Sequence, residues 1–592
     1  MLPQSSLHFI DWLIIFIFLL ITASISLVFT KRASKNLENF FLSNRQLPWW
    51  IAGTSMVATT FAADTPLLIT ELVAKNGISG NWLWWNGLIG GMLATFFFAK
   101  LWRRANVLTD VEFTEIRYSG REAAFLRGFK AVYLGILMNA VIIAWVNIAL
   151  GSLLHIFFNI PEQQLIFYLA GAMGLVAIYT SLSGLWGVAI TDFLQFILAM
   201  LGCIVLAVVV VNSEQIGGIA GLQAKLPPET FHFFPKLEFS STSIVETTQM
   251  LSISFATFLA FVAVQWWASW YPGAEPGGGG YVAQRMMSAK SETDALKATL
   301  FFQIAHYALR PWPWIIVGLC TIVLYPELSA DDKKLGYVMA MQEFLPPGLK
   351  GLLLVTFLAA YMSTISTQLN WGTSYIVSDL YQRFLRPQAE TKHLIVVARI
   401  STLLLMLVAL VVTSQLKTLE SAFKFMIECG AGLGAVLILR WYWWRINAWS
   451  EIVATIAPFI AFAVVKFYGH LEFPESLFVT VSFTTVAWLT VTFLTQPTDL
   501  TVLRNFYARV HPAGWWQPIG DSHNNAELFR LFIAWLFGVG LGYACLFGIG
   551  QLIFANWQGA IVYGVIALIC AWVVKRMLIR KGEYRLIYVN KS

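Results

Sequence analysis

The segment FAADTPLL, residues 61–68, sets a proline and a carboxylate inside one apolar run. Pro66 has no N–H, so a helix running through it leaves the carbonyl of Ala62 without its usual donor. Thr65, just before the proline, is biased away from helical backbone as well. Carbonyl oxygens released there, with Asp64 beside them, are the donors a small hard cation needs. The competing reading is a tolerated proline kink, with Asp64 facing an Asn or Ser. A second group of oxygens stands in LAAYMSTISTQLN, where Ala360, Ser363 and Thr364 at i, i+3 and i+4 share a helical face. Hydroxyls ligate a cation without adding charge, and Ser or Thr can expose a carbonyl of its own helix. Small-residue helix packing is the alternative there. A third irregular stretch, QWWASWYPGAEPGGGGYVAQR, carries Pro272, Pro276 and Gly277–Gly280. Its glycines allow close backbone approach to a ligand, though on this stretch alone a flexible connector is the expected role.

The elements that must hold these groups are apolar. Of 592 residues, 58% are hydrophobic and 12% charged, about half the charge of a soluble domain. Runs of 20 or more apolar residues recur, enough to cross a hydrocarbon layer of roughly 30 Å. About fifteen spans are expected, near 9–30, 48–74, 82–102, 126–157, 164–181, 185–212, 246–271, 296–324, 350–380, 394–414, 418–440, 447–468, 475–495, 527–548 and 553–576. The first lacks a preceding basic residue, carries Asp11 and is followed by Lys31, Arg32 and Lys35, the reverse of a signal peptide. TKRASK, LWRR, QRMMSAK, QRFLRPQ, RWYWWRIN and VKRMLIRK then fall on one side. Cytoplasmic loops carry such an excess of Lys and Arg, so the N-terminus is expected outside and the C-terminus in the cytoplasm of a cell-membrane protein. The net charge of +7 thus reflects loop orientation rather than nucleic-acid binding. The five cysteines lie in apolar spans without CxxC pairing, and no Walker loop, GxSxG or HExxH occurs, so neither a resident metal nor enzyme chemistry is expected.

With the leading span set aside, the breaks at 62–66 and 272–280 fall in the first and sixth of ten spans. Interruptions at corresponding positions point to an inverted-repeat transporter. The expected units are a leading helix and loop over 1–47, a first five-helix repeat over 48–212, an outer loop over 213–245, a second repeat over 246–441, and further helices over 442–592.

FFLSNRQLPWW, AADTP, YTSLSGLWGVAITDFLQ, GYVAQRMMSAKS and LAAYMSTISTQL, in that order and spacing, together resemble the sodium:solute symporter family over roughly residues 9–470. The resemblance implies an all-α, leucine-transporter-type fold of two inverted five-helix repeats with flanking helices. It also implies sodium as the co-transported ion. Carried over by motif, the sodium ligands would be the carbonyls of Ala62, Thr65 and Ala360 and the hydroxyls of Ser363 and Thr364. Asp64 and Asp192 would be acids on the sodium path.

Solute residues do not carry over, since the glutamine that galactose symporters place after the break is here Leu68 or Ile69. Candidates for the solute cavity are Asn86, Gln265, Trp267, Trp270, Tyr271 and Arg310. The aromatic groups would stack on a sugar face or anchor at the membrane interface. Arg310 would pair a solute carboxylate or a structural partner such as Glu428. The expected activity is alternating-access uptake of a small polar solute driven by inward sodium, in a lipid bilayer and with no obligate protein partner. Proton coupling in the same fold and a transporter-like nutrient sensor are the rival readings.

Overall fold

A hydrocarbon layer offers backbone N–H and C=O groups no water, so an apolar chain satisfies them within helices. The computed structural model describes residues 7–238, 252–269, 275–415, 430–465, 469, 471, 473–517, 519–520 and 525–579. Its principal helices are α1 (Phe9–Ala33), α2 (Trp49–Thr59), α3 (Thr65–Asn76), α4 (Ile78–Ala105), α5 (Gly120–His155), α6 (Glu162–Val211), α7 (Phe255–Ala268) and α8 (Gly280–Ser288). They continue with α9 (Glu292–Leu324), α10 (Leu349–Leu385), α11 (Thr391–Gln415), α12 (Gly434–Tyr442), α13 (Ala448–Val464), α14 (Glu475–Leu494), α15 (Leu500–Val510), α16 (Asn525–Ile553) and α17 (Trp557–Ile579). Ten of the helices among the described residues are long and apolar enough to cross a membrane. A short parallel pairing of Lys236–Glu238 with Ser252–Ser254 is the one departure from an all-helical fold there.

The 50-residue α6 turns at Gly184, whose φ of +55° breaks the helix. A side chain at Gly184 would lie 2.8 Å from the Phe40 carbonyl, so the turn needs glycine both for its backbone and for its space. The sequence break between spans at 181–185 therefore has its counterpart here.

Helix α10 is the axis of the molecule. All but a few of its residues between Gly351 and Ser374 are buried, and it packs against α1, α5, α6, α11 and α2, the helix that leads into the break. Asp11 ties α1 to its start, accepting the backbone N–H groups of Gly348 and Gly351 at 2.7 Å each. These are orphan donors of a helix N-terminus, which a carboxylate suits by hydrogen bond and by dipole. By contrast α17 has 11% of its apolar window buried. It packs on α16 and turns Ile561, Val565, Leu568 and Trp572 outward, the expected surface for a helix whose solvent is lipid.

Candidate functional site

The break between α2 and α3 occupies residues 60–64. Pro66 lies in the first turn of α3, where a missing N–H costs nothing. The expectation that it strips the Ala62 carbonyl of a donor is therefore corrected: that carbonyl accepts the N–H of Thr65 at 3.2 Å. The interruption lies upstream. The Thr60 hydroxyl bonds back to the carbonyls of Met56 and Val57 at 3.1 and 2.9 Å, and the Phe61 N–H closes on Ala58 at 3.0 Å. Among the described residues the carbonyls of Thr59, Thr60, Phe61 and Ala63 accept no backbone N–H. Those are the oxygens the break releases.

Helix α10 meets them. The Thr364 hydroxyl donates to the Thr59 carbonyl at 3.0 Å and to Ala360 at 3.1 Å. Ala360, Ser363 and Thr364 are all buried. Ser363, one residue round the helix, turns away from the break and donates to Asp192 of α6 at 2.6 Å. Ser55 of α2 donates to the other oxygen of the same carboxylate at 2.5 Å.

Arg285 completes this buried knot. Its Nη2 lies 3.6 Å from Asp192 and donates to Thr367 at 2.6 Å, while Nε donates to Ser55 at 3.1 Å. Thr59 and Thr367 share a hydroxyl contact at 3.0 Å. Arg285 and Asp192 are each fully buried, and a buried pair survives only when hydrogen bonds answer its remaining donors and lone pairs. These contacts do so, joining α2, α6, α8 and α10 at one point.

On the other side of the break a cavity of about 270 Å³ is walled in part by Ala62, Asp64, Thr65, Thr364, Gln265 and Arg310. Asp64 precedes α3 without capping it, and its carboxylate lies on the cavity wall with the Trp145 indole and Arg310. Arg310 donates to the Val57 carbonyl and the Thr60 hydroxyl, both at 3.2 Å. His306 stands one turn before it, 3.0 Å from the same hydroxyl. Trp84 stacks on Tyr307 with centroids 5.4 Å apart and meets His306 edge-on. The Oε1 atoms of Gln265 and Gln368 and the Ser269 hydroxyl lie buried on this wall without a hydrogen-bond partner among the described residues. Groups of that kind call for a polar ligand or water.

Several expectations are relocated. Asn86 is on the wall, but its amide donates to the Trp82 and Leu83 carbonyls of its own helix. Trp266, not Trp267, faces the cavity. The neighbouring residue points about 100° away on a helix, and Trp267 packs beside Leu477 and Val481 of α14. Trp270, Tyr271 and Glu428 lie outside the described residues. The glycine run is not a flexible connector: residues 275–280 are buried, the Trp102 indole donates to the Gly277 carbonyl at 3.0 Å, and the Gly280 N–H reaches Asp110 at 3.0 Å.

Other groups were not singled out from the sequence. Ser55 and Thr59 are spaced i, i+4, Thr367 extends the Ser363 and Thr364 face by a turn, and His306 stands four residues before Arg310, itself a named candidate. That spacing was the available signal. For Arg285, inside a motif already recognised, there was no spacing signal.

The model of the sodium:solute symporter family matches residues 40–457. The chain belongs to that family. The sodium/glucose cotransporter of Vibrio parahaemolyticus is 23% identical over 510 residues, 82% of this chain and 90% of that one. Human sodium/myo-inositol cotransporter 2 is 24% identical over 446 residues, 69% of this chain and 61% of that one. A substrate-bound, outward-open Na+-coupled sialic acid symporter has the same fold, with a TM-score of 0.66 at 20% identity over 83% of this chain and 100% of that one. The protein is thus a multi-pass membrane symporter that couples a solute to Na+.

Proposed function

We propose that this symporter takes up a small polar organic solute by alternating access, driven by inward sodium. The observation that carries the reading is the adjacency of two features at one helix break. The Thr59 carbonyl, at the start of the break, meets Thr364 of α10, and a cavity with three unanswered polar atoms opens beside them.

Sodium is held between the carbonyls of the broken segment, Ala62 and Thr65 included, and Ala360, Ser363 and Thr364 of α10, with the Ser363 hydroxyl turning from Asp192 to the ion. Ala62, Thr65 and Thr364 also line the cavity. Sodium filling this place fixes α2 against α10 and so pre-orders the wall that binds solute, which makes the two affinities reciprocally coupled. It leaves past Asp192, whose carboxylate Arg285 holds in the meantime. One charge moving through about 100 mV releases roughly 2.3 kcal/mol. A tenfold gradient adds about 1.4 kcal/mol, together supporting accumulation of several hundredfold.

The chain crosses the membrane about fifteen times, counting α6 as two crossings and α2–α3 as one. It does so with the N-terminus outside, the C-terminus in the cytoplasm and repeats over 48–212 and 246–441. Asp64, which caps no helix, favours proton coupling as the second reading. Uptake into proteoliposomes, after a thermal-shift screen of sugars, amino acids and organic acids with and without sodium, decides between them. Uptake that follows a sodium titration at fixed pH is expected. Uptake indifferent to sodium but driven by a pH gradient would establish the proton.

A further inference from the structure

At the end of the molecule that carries the basic loops, a narrow crevice of about 50 Å³ separates the C-terminal hairpin α16–α17 from α4 and α9. Its floor is apolar, with Phe96 from α4, Leu296 from α9 and Met577 from α17. Its rim is cationic. Lys100 and Arg104 come from the end of α4, Arg530 from the start of α16, and His511 from the residue after α15, with Glu527 as the carboxylate among them. Arg104 is held by Glu292 at 2.8 Å. Arg530 is half-buried and has no hydrogen bond or ion pair among the described residues.

A basic rim over an apolar floor, beside a helix whose outer face is made for lipid, matches one chemistry. A free anion would use the rim and leave the floor wet. A neutral lipid would use the floor and leave Arg530 unanswered. A negatively charged headgroup on an acyl chain satisfies both, and the cytoplasmic leaflet, rich in such lipids, attracts basic groups. We propose that the crevice binds an anionic phospholipid, its phosphate between Lys100 and Arg530 and an acyl chain along Phe96, Leu296 and Met577. The lipid bridges the C-terminal hairpin and the helices that carry the transport site. This goes beyond the transport reading and rests only on its orientation, with the basic loops in the cytoplasm.

The test uses the full chain, purified in neutral detergent and given phosphatidylglycerol or phosphatidylcholine. Native mass spectrometry counts retained lipid, and thermal shift reports its effect. Phosphatidylglycerol should be retained and should raise the melting temperature, and phosphatidylcholine should do neither. Lys100→Gln with Arg530→Gln should weaken retention roughly 30-fold, from about fivefold per cation removed. Lys575→Gln with Arg576→Gln removes two exposed cations at the same end that do not line the crevice, and should change it by less than about threefold, short of the loss of even one crevice cation. If the first pair does not fold, each single variant carries the comparison at about fivefold. Equal losses in both pairs would reduce the effect to general surface charge and overturn the site. Displacement of the lipid by millimolar inorganic phosphate would leave an anion site without a lipid, which also overturns it.

Discussion

Thr364→Ala removes the α10 hydroxyl that donates to the Thr59 carbonyl at the end of α2. In the structure this hydroxyl donates to Thr59 and Ala360, and its residue is 4% exposed. If it turns its lone pairs to sodium, its loss costs what a hydrogen-bonding partner of a charged group is worth, about 1.5–3 kcal/mol. Sodium half-saturation should therefore rise roughly 10- to 150-fold. Solute affinity should fall by the coupled factor at low sodium and recover when sodium is saturating. The same change also leaves the Thr59 carbonyl unanswered, at about 1–3 kcal/mol of stability, so a poor fold must be separated from a poor ion site. Thr364→Ser keeps the oxygen and should restore both. Thr373→Ala is the control, because it removes a buried α10 hydroxyl whose contact is Thr402 at 3.0 Å. The assay is solute uptake into proteoliposomes across a sodium titration, with melting temperature measured on the same preparations. A folded Thr364→Ala protein whose sodium half-saturation stays within about twofold of the parent, well below the loss of one such ligand, would refute the placement of sodium against this turn.

Three further outcomes test other parts of the structure. Asp192→Asn strands the Arg285 charge in the interior and should lower stability by about 3–5 kcal/mol; adding Arg285→Gln should recover part of that in a melting measurement, and a double variant no better than the single would count against the pair. Asp11→Ala removes the acceptor of the Gly348 and Gly351 N–H groups, so melting should drop by roughly 2–3 kcal/mol while the sodium dependence of uptake is unchanged. Arg310→Gln should raise solute half-saturation at saturating sodium about tenfold or more, the scale of a lost charged hydrogen-bond partner, whereas Trp267→Phe should leave it nearly constant; the reverse ranking would put Trp267 on the cavity wall.

Helix existence was readable because lipid solvent makes it compulsory, and even the glycine turn of α6 falls in the gap between two expected spans. The position of the broken helix was readable to within a turn, through Pro66. Its mechanism was not. A proline deep in an apolar run has the same sequence signature whether it interrupts one helix or starts the next, and only the Thr60 hydroxyl bonding backwards shifts the break to residues 60–64. Ser363 and Thr364 were readable as a shared face, but one residue of rotation sends one hydroxyl to Asp192 and the other to Thr59. Which of the adjacent Trp266 and Trp267 lines the cavity was not readable on the same ground, since adjacent aromatics on a helix cannot be told apart without the partner. Arg285 illustrates the remaining gap: a cation can be buried only where distant elements supply Asp192, Ser55 and Thr367, and no local pattern records that supply.

The last turn of α2 explains why ion and solute should be coupled at all. Ser55 and Thr59, four residues apart, turn their hydroxyls toward Asp192 and Thr367. The Val57 carbonyl and the Thr60 hydroxyl, on the other face of that turn, receive Arg310. A rotation or shift of this turn therefore cannot improve contacts on the α6–α10 side without moving the acceptors that position Arg310 in the cavity. Because the chain unwinds at once after Thr59, the turn has no helical continuation to hold it in place, and its position is set by what binds on either side. In the proposed arrangement, sodium at the released carbonyls would fix the turn from one face, and solute near Arg310 would fix it from the other. Each ligand then lowers the ordering cost met by its partner, which is the reciprocal coupling a symporter requires.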